Sequence, residues 1–249
     1  MNFRQTLNAA LTSRTLLKVI AGITNFDRGN VLAIARAAQA GGAQAIDVAA
    51  DPALVAAVKA DTNLIVFVSS TEPAKLAACA GVADVLELGN FDAMYRDGVH
   101  PTAAQILGWA REIKASAGQT PVCVTVSGYL PIAEQKALAA DLQDLGIDIL
   151  QTEGQVGPES DDTFKALAGA VSALGNTAEI RKVVSLPLLL AGGFNAISTP
   201  FAIAAGADAL GVGKAISRHA SEAEMTAEVV AIMKAIDNTR REGAGLVTA

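Results

Sequence analysis

The amino-acid sequence predicts an α/β protein in which eight parallel strands alternate with helices and close into a barrel. Short apolar runs recur along the 249 residues, and a helical pattern follows each of them. Strands that alternate with helices at this spacing indicate parallel βα units. Eight such units in about 250 residues are typical of a (β/α)8 TIM barrel. A doubly wound parallel sheet is the alternative architecture.

The eight apolar runs are the predicted strands. They cover residues 16–20, 45–49, 64–68, 84–88, 121–126, 148–152, 187–191 and 208–212. The predicted helices cover residues 28–40, 52–60, 73–80, 103–116, 132–145, 161–182, 198–205 and 222–240. Capping residues agree with these bounds, since Thr102 and Gln105 have capping-box spacing at a helix start.

Composition and charge exclude several classes of protein. Hydrophobic residues make up 51% of the chain and aromatic residues only 4%, which suits small aliphatic side chains packed between helices and a parallel sheet. No apolar stretch reaches the ~18–20 residues that span a bilayer. The net charge of −6 and the lack of a basic stripe argue against a nucleic-acid partner. The two cysteines, Cys79 and Cys123, form no CxxC motif, so neither a disulfide framework nor a structural zinc site is expected.

The domain prediction is one barrel over residues 1–237, followed by a flexible C-terminal tail over 238–249. Residues 1–15 are interpreted as a capping helix at the floor of the barrel, because they lead directly into the first strand. The alternative is a transit peptide, since this segment lacks acidic residues and contains Arg4 and Arg14.

A weak internal repeat precedes the even-numbered strands. Its copies are GAQAID (42–47), GVADVLE (81–87), GIDILQ (146–151) and GADALG (206–211). Aligned, they place four residues at one level: Asp47, Glu87, Gln151 and Gly211. Two residues further along, on the same face of each strand, come Ala49, Gly89, Glu153 and Gly213. Because polar groups in apolar strands are costly unless they line a cavity, we expect a polar layer with open space above it at the C-terminal mouth, where barrel active sites lie.

Four residues are the candidate catalytic groups: Lys18, Asp47, Glu87 and Glu153. Lys18 lies within the first strand, and a buried lysine must pair, shift its pKa or react. It could form a Schiff base with a carbonyl or hold a substrate anion. The alternative is an ion pair with Asp47 or Glu87 that only fills the barrel. The two carboxylates could act as an acid/base pair, or could hold hydroxyls or a metal. The sequence contains no complete metal site, and no metal is predicted.

Glycines at the ends of strands 7 and 8 predict a phosphate site. The loops after these strands and an adjoining short helix, expected to start near Lys214, form the usual barrel phosphate site. The candidate phosphate-binding residues are Gly192, Gly193, Asn195, Gly211, Gly213 and Lys214. The alternative is that these glycines only make tight βα turns.

Further polar residues near the predicted mouth are candidates for the substrate pocket. They are Ser69, Asn90, Asp92, Thr125 and Gln151. His100, in the long loop after strand 4, is either an acid/base or a turn histidine beside Pro101. The polar loop at 155–162, after Glu153, is interpreted as mobile and able to close over the mouth.

Several phrases together resemble one known family. They are KVIAG (18–22), NF (25–26), DVAADP (47–52), ELGNFDA (87–93), QTEG (151–154) and LAGG (190–193). This combination resembles the Ycf23 family, also called DUF561, whose members are encoded in some algal plastid genomes and in cyanobacteria. The resemblance runs from about Lys18 to Ile216. It implies a phosphate-binding TIM barrel of the aldolase and ribulose-phosphate-binding kind, in a cyanobacterial cytoplasm or a plastid stroma, and it implies no particular reaction.

Three functions compete at this point. The first is an enzyme that carries out an aldolase-, isomerase- or synthase-type step on a small phosphorylated metabolite. The second is an FMN-binding oxidoreductase-like barrel, because the segment 188–216 is similar to the flavin-phosphate segment of nitronate-monooxygenase-like and IMP-dehydrogenase-like barrels. No histidine or cysteine is positioned for flavin chemistry, which argues against it. The third is a metabolite-sensing or regulatory barrel without catalysis. No membrane partner is expected, and a homo-oligomer is compatible with all three.

Overall fold

The eight strands pair in chain order, each with the next, and the last strand closes the sheet against the first. The computed structural model describes residues 3–155 and 163–246. All strand pairs within these ranges are parallel, from the β1–β2 pair to the β7–β8 pair. The structure confirms the predicted (β/α)8 barrel and excludes the doubly wound sheet.

The strands are β1 (Leu16–Gly22), β2 (Ala45–Ala49), β3 (Ile65–Ser70), β4 (Val85–Leu88), β5 (Val122–Val126), β6 (Ile149–Thr152), β7 (Leu188–Ala191) and β8 (Ala209–Val212). The first helices are α1 (Phe3–Thr12), α2 (Arg28–Ala40), α3 (Pro52–Asp61), α4 (Pro73–Ala78), α5 (Asp92–Arg96) and α6 (Ala103–Ser116). The remaining helices are α7 (Ile132–Asp144), α8 (Thr163–Arg181), α9 (Thr199–Ala204), α10 (Lys214–Ser217) and α11 (Glu222–Leu246).

Two helices differ from their predicted bounds in ways that matter. The short helix α5 lies in the loop after β4, where no helix was predicted. Helix α11 continues to Leu246, so most of the segment 238–249, which was predicted as a tail, is helical. The added residues contain no proline and begin with Arg241 and Glu242, both good helix formers, so the helix continues past 240 despite Gly243 and Gly245 further on.

The lower half of the barrel interior is a closed apolar core. Inward-facing side chains from all eight strands form it: Leu16, Ala45, Ile65, Phe67, Val85, Cys123, Ile149, Leu189, Ala191 and Ala209. Helix α1 closes this end, because its Leu7, Ala10 and Leu11 pack against the same cluster. Polar chemistry inside the barrel is therefore confined to the upper half, toward the carboxyl ends of the strands.

The internal repeat places a hydrogen-bond acceptor directly before each even-numbered strand, at the floor of the barrel. Asp84, Asp148 and Asp208 directly precede β4, β6 and β8. Each carboxylate accepts the backbone N–H of a residue in the preceding strand, with N–O distances of 2.9, 2.9 and 3.0 Å. Gln44, before β2, accepts the N–H of Leu17 in the same way at 2.9 Å.

Each of the three floor aspartates also binds a cation from the helix before the preceding strand. Lys59 lies 2.7 Å from Asp84, Lys114 lies 3.3 Å from Asp148, and Arg181 lies 2.6 Å from Asp208. We call these three Asp–cation pairs the floor repeat. Because each aspartate satisfies a strand N–H and anchors a helix, the floor repeat fastens the α/β units together.

Apart from α1 at the floor and α5 in the loop after β4, the helices of the described ranges surround the barrel and pack on its outer face. Among them, none is long and apolar enough to cross a membrane.

Candidate active site in the barrel mouth

Lys18 lies at the centre of the barrel, just above the apolar core. It points inward from β1 and is fully buried. Its Nζ donates to a carboxylate oxygen of Glu87 and, at 2.9 Å, to Oε1 of Gln151. The same Nζ lies 5.1 Å from the ring centroid of Phe67, above the core. An ammonium ion is thus held in the barrel interior by one carboxylate, one amide and one aromatic face.

Asp47 lies in the same layer, on β2, and is also fully buried. Ser69, which follows on β3, donates its hydroxyl to Oδ1 of Asp47. Asn90 donates its Nδ2 to Oδ2 of Asp47 at 3.0 Å. Both carboxylate oxygens therefore have a neutral donor, while the one nearby ammonium belongs to the Lys18–Glu87 pair.

Asn90 and Gln151 join the two carboxylates into one network. Asn90 Nδ2 lies 3.4 Å from Oε1 of Glu87, and its Oδ1 accepts from Nε2 of Gln151 at 3.4 Å. Gln151 Nε2 also donates to Thr125 Oγ1 at 3.0 Å. We call the connected residues the mouth network: Lys18, Asp47, Ser69, Glu87, Asn90, Thr125 and Gln151. The structure brings these seven predicted site residues together.

The chain reaches this arrangement through an unusual turn after β4. A Cβ on Gly89 would lie 1.8 Å from Oγ1 and 2.5 Å from Cβ of Thr125, so only glycine fits at that position. Asn90 then adopts the left-handed conformation, with φ at 57°, which asparagine tolerates better than most residues. Asn90 is half-buried, whereas the other six members of the network are buried. Asn90 therefore lies between the network and the solvent.

Burial and the neighbouring charges set the protonation of the network. Burial raises the pKa of Asp47 to about 7; the charge of Lys18 opposes this shift and the charge of Glu87 adds to it. Burial lowers the pKa of Lys18, but the charges of Glu87 and Asp47 outweigh that effect and raise the pKa above its ordinary value. Lys18 is therefore an ammonium ion at neutral pH, and the carboxyl group of Asp47 titrates in the neutral range.

Glu153, the fourth candidate catalytic group, lies in a neighbouring cluster. Tyr95 donates its hydroxyl to Oε1 of Glu153, and the backbone N–H of Gly128 donates to the same oxygen at 3.3 Å. The Tyr95 hydroxyl also lies 2.6 Å from Ser127 Oγ. Burial, together with the charge of Glu153, raises the pKa of Tyr95, so the tyrosine remains a donor. Glu153 lies just beyond the end of β6, two residues after Gln151, and contacts the loops after β4 and β5.

Three aromatic rings cover this second cluster. His100 stacks on Tyr95 with ring centroids 5.3 Å apart, and Tyr129 packs against Tyr95 at 4.2 Å and against His100 at 4.6 Å. His100 itself is exposed. The predicted site did not include Tyr95, Ser127 or Tyr129. Ser127 lies two residues after Thr125 and could have been found from the alternation of β5, but no periodic pattern marks Tyr95.

The glycine loops after β7 and β8 lie at the same end of the barrel as the mouth network. Gly192 and Gly193 follow β7 with φ of 118° and 77°, a conformation that favours glycine. A Cβ on Gly193 would meet no atom within 4 Å, so the backbone there faces open space. Gly213 follows β8 and is succeeded by exposed Lys214, where α10 begins as predicted.

Two of the predicted phosphate-binding residues have structural contacts instead. Gly211 is buried within β8, and a Cβ there would lie 3.1 Å from Cβ of Ala191 and 3.2 Å from Ile20 Cδ1. Its lack of a side chain makes room inside the barrel, so it does not lie among the loop glycines. Asn195 shapes its own loop, since its Oδ1 accepts the N–H groups of Ile197 and Ser198 at 3.0 and 3.1 Å.

Two predictions lie outside the described residues. The side chain of Asp92, at the start of α5, is one of them, and the predicted mobile loop falls almost entirely on residues 156–162. Among the side chains that the structure does describe, no group of three or more His, Cys, Asp or Glu residues is arranged to hold a metal ion.

The (β/α)8 fold is shared with solved structures of low sequence identity. The chain is similar to a solved structure of a putative fructose-1,6-bisphosphate aldolase from Coccidioides immitis, with 17% identity, a TM-score of 0.65, and coverage of 95% of this chain and 96% of the other. It is also similar to (S)-3-O-geranylgeranylglyceryl phosphate synthase from Thermoplasma acidophilum, solved in complex with its substrate sn-glycerol-1-phosphate. There the identity is 13%, the TM-score 0.62, and the coverage 95% of this chain and 98% of the other.

Sequence comparison identifies the family. Residues 1–242 match the family described as "Protein of unknown function (DUF561)". The chain is 35% identical over 240 residues to the uncharacterized protein ycf23 of Antithamnion sp., covering 91% of this chain and 86% of that protein. The chain belongs to the DUF561 (Ycf23) family, as the sequence phrases indicated.

Proposed function

We propose that the protein is an enzyme that transfers a proton on a small phosphorylated metabolite, in an aldolase-, isomerase- or synthase-type step. The observation that carries this proposal is the mouth network. It holds a permanent ammonium ion and a carboxyl group with a pKa of about 7 in one hydrogen-bonded layer. General acid–base catalysis works best when the pKa of the catalytic group lies near the working pH.

Lys18 has the role of an electrostatic stabiliser. An ammonium ion fixed by Glu87 and Gln151 is preorganised to stabilise an oxyanion or enolate that forms on the substrate. A Schiff base requires the neutral amine, and the raised pKa of Lys18 works against that form. Of the two functions predicted for Lys18, the holding of a substrate anion is therefore favoured.

Asp47 has the role of general base and acid. Its hydrogen bonds from Ser69 and Asn90 hold the carboxyl group in one orientation. Asn90 is the half-buried member of the network, so a substrate that enters from the mouth reaches Asp47 by replacing the Asn90 contact. Glu153, fixed by Tyr95 and Gly128, supplies a second carboxylate for the hydroxyl groups of the distal part of the substrate.

The phosphate group is assigned to the loops after β7 and β8. Gly192, Gly193 and Gly213 expose backbone at this end of the barrel, and exposed Lys214 adds a positive charge. Support comes from the solved structure of similar fold that contains sn-glycerol-1-phosphate. A small anion bound there would place the carbon skeleton of its ester over the mouth network.

Saturation-transfer NMR tests the assignment with paired probes. Fructose 1,6-bisphosphate and sn-glycerol 1-phosphate are each compared with fructose and glycerol. We expect a signal for at least one phosphorylated probe and none for its unphosphorylated partner. Lys214→Glu should weaken the signal by repulsion at the mouth, whereas Lys234→Glu, a charge reversal on exposed α11, should retain it in full. Equal signals with and without phosphate, or binding of FMN in place of these esters, would contradict the proposal.

A further inference from the structure

The floor repeat contains one position that departs from the other two. Asp84 and Asp148 each bind a single lysine. Asp208 binds Arg181 and, in addition, Arg14, whose Nε lies 3.1 Å from Oδ1 of Asp208. The equivalent pairs are balanced in charge, but here two guanidinium groups share one carboxylate. One positive charge is therefore in excess at this position.

The excess charge borders a cavity of about 450 Å³ at the barrel floor. The cavity is lined by Asn8, Leu11, Thr12, Arg14, Arg181, Ser185, Pro187 and Asp208. Asp208 is the sole carboxylate among these residues, and it is already bound by both arginines. The remaining polar lining consists of amide and hydroxyl groups, which bind anions without adding negative charge.

The arginine atoms that remain available suit a tetrahedral anion. Arg14 contacts Asp208 through Nε, and Arg181 uses Nε for the Gly206 carbonyl and Nη2 for Asp208. Within the described ranges, the terminal nitrogens of Arg14 form no hydrogen bond to another side chain. Guanidinium groups bind phosphate through two parallel N–H donors. Arg14 also has a φ of 54°, a costly conformation for a residue other than glycine, which directs the chain between α1 and β1 at the edge of the cavity.

We propose that this cavity is a second anion site, separate from the mouth, that binds a dianionic phosphate group between Arg14 and Arg181. The phosphate is supplied either by inorganic phosphate or by a small phosphomonoester, because the cavity has room for a few carbon atoms beyond the phosphate. Since Asn8, Leu11 and Thr12 belong to α1, a bound anion would fasten this helix to the α8–β8 edge of the barrel.

Calorimetric titration with inorganic phosphate, at constant ionic strength, tests the site in the full chain. The wild-type and substituted floor sites are compared in the Lys214→Glu background, in which the mouth loops repel the anion. Arg14→Gln should weaken binding at least tenfold, while Arg181 continues to pair with Asp208 and preserves the fold. Lys114→Gln is the matched control, because it removes the single cation of the equivalent Asp148 pair, and it should leave the affinity unchanged. Arg14→Lys keeps the positive charge but loses the paired N–H donors. Its affinity for phosphate should therefore lie between those of Arg14→Gln and Lys114→Gln. Equal affinity for the wild type and Arg14→Gln would overturn the proposal.

NMR separates this site from the proposed active site. On addition of phosphate, the backbone amides of Asn8 and Ser185 should shift, and they should still shift in Lys214→Glu, which alters only the mouth. Shifts confined to the mouth loops would overturn the floor site and leave the proposed function standing. Comparison of phosphate with sn-glycerol 1-phosphate then identifies the source. Tighter binding of the ester indicates a metabolite, and tighter binding of phosphate indicates the free ion.

Discussion

The floor and the mouth of the barrel use the same even-numbered strands in opposite ways. At the floor, β4, β6 and β8 each begin after an aspartate that binds a strand N–H and a helix cation. At the mouth, the equivalent level holds Asp47, Glu87, Gln151 and Gly211, four different residue types. The floor groups satisfy the backbone, so the fold alone explains their repetition. The three polar groups at the mouth are joined to one another through Asn90, and their differences require another explanation, which the proposed chemistry provides.

The largest expected effect comes from the ion pair at the mouth. Lys18→Met leaves the buried carboxylate of Glu87 without its cation, and we expect the free energy of unfolding to fall by about 3–5 kcal/mol. Urea denaturation measures the loss. The double variant Lys18→Met/Glu87→Gln removes both charges and should recover most of the stability, but none of the turnover. Recovery of turnover in the double variant would show that the pair only fills the barrel.

The next largest effect is expected from a substitution at Gly89, in the turn after β4. Gly89→Ala places a Cβ against the Thr125 side chain, and we expect a loss of about 1–3 kcal/mol in unfolding free energy together with weaker ligand binding. Gly108→Ala, in α6, is the control, because a Cβ there meets no atom within 4 Å. That variant should gain about 0.5–1 kcal/mol from helix propensity. Unchanged ligand binding in Gly89→Ala would mean that this turn does not position the mouth network.

A substitution at the floor should affect stability alone. Asp84→Ala removes the acceptor of the Val66 N–H and the partner of Lys59, which should cost about 1–3 kcal/mol of unfolding free energy. Ligand affinity at the mouth should not change, as measured by the same NMR titration. Asp84→Asn keeps an acceptor oxygen and should cost less. A loss of mouth affinity in either variant would contradict the division between the two ends.

The smallest expected effect, per pH unit, is a change in the free energy of unfolding with pH. The pKa of Asp47 is raised in the folded state to about 7, so the folded protein retains a proton that the unfolded chain has released. Stability should therefore fall as pH rises between the ordinary aspartate pKa and about 7, by at most about 1.4 kcal/mol per pH unit. Asp47→Asn should remove this slope. Urea denaturation at about pH 5 and about pH 7 measures it for both proteins, and equal slopes would contradict the assignment.

Much of the fold could be predicted because the sequence features that indicate it, such as apolar runs, are local. Strand bounds followed from apolar runs, and the shared level of Asp47, Glu87 and Gln151 followed from the repeat phrases. Which carboxylate Lys18 would bind was not predictable, since that depends on the stagger of the closed barrel, in which Lys18 is paired with Gly211 and Ser69 with Glu87.

Contacts made by loops, or between residues far apart in the chain, also could not be predicted from the sequence. Glu153 binds Tyr95, which lies in a loop that has no periodic pattern, so sequence spacing did not identify this partner. Arg14 meets Asp208 only because α1 closes the barrel beside β8, and no local signal joins residues so far apart in the chain.

Isotope exchange shows whether the mouth network transfers a proton on a phosphorylated substrate. Dihydroxyacetone phosphate and dihydroxyacetone are incubated with the protein in deuterium oxide, and deuterium incorporation at carbon is followed by NMR. We expect the wild type to accelerate exchange of the phosphorylated ketone over the buffer rate and the unphosphorylated ketone to exchange more slowly. In Asp47→Asn, exchange should fall to the buffer rate. Exchange that is equally fast in Asp47→Asn, or absent for a phosphorylated ketone that binds at the mouth, would contradict the proposed proton transfer.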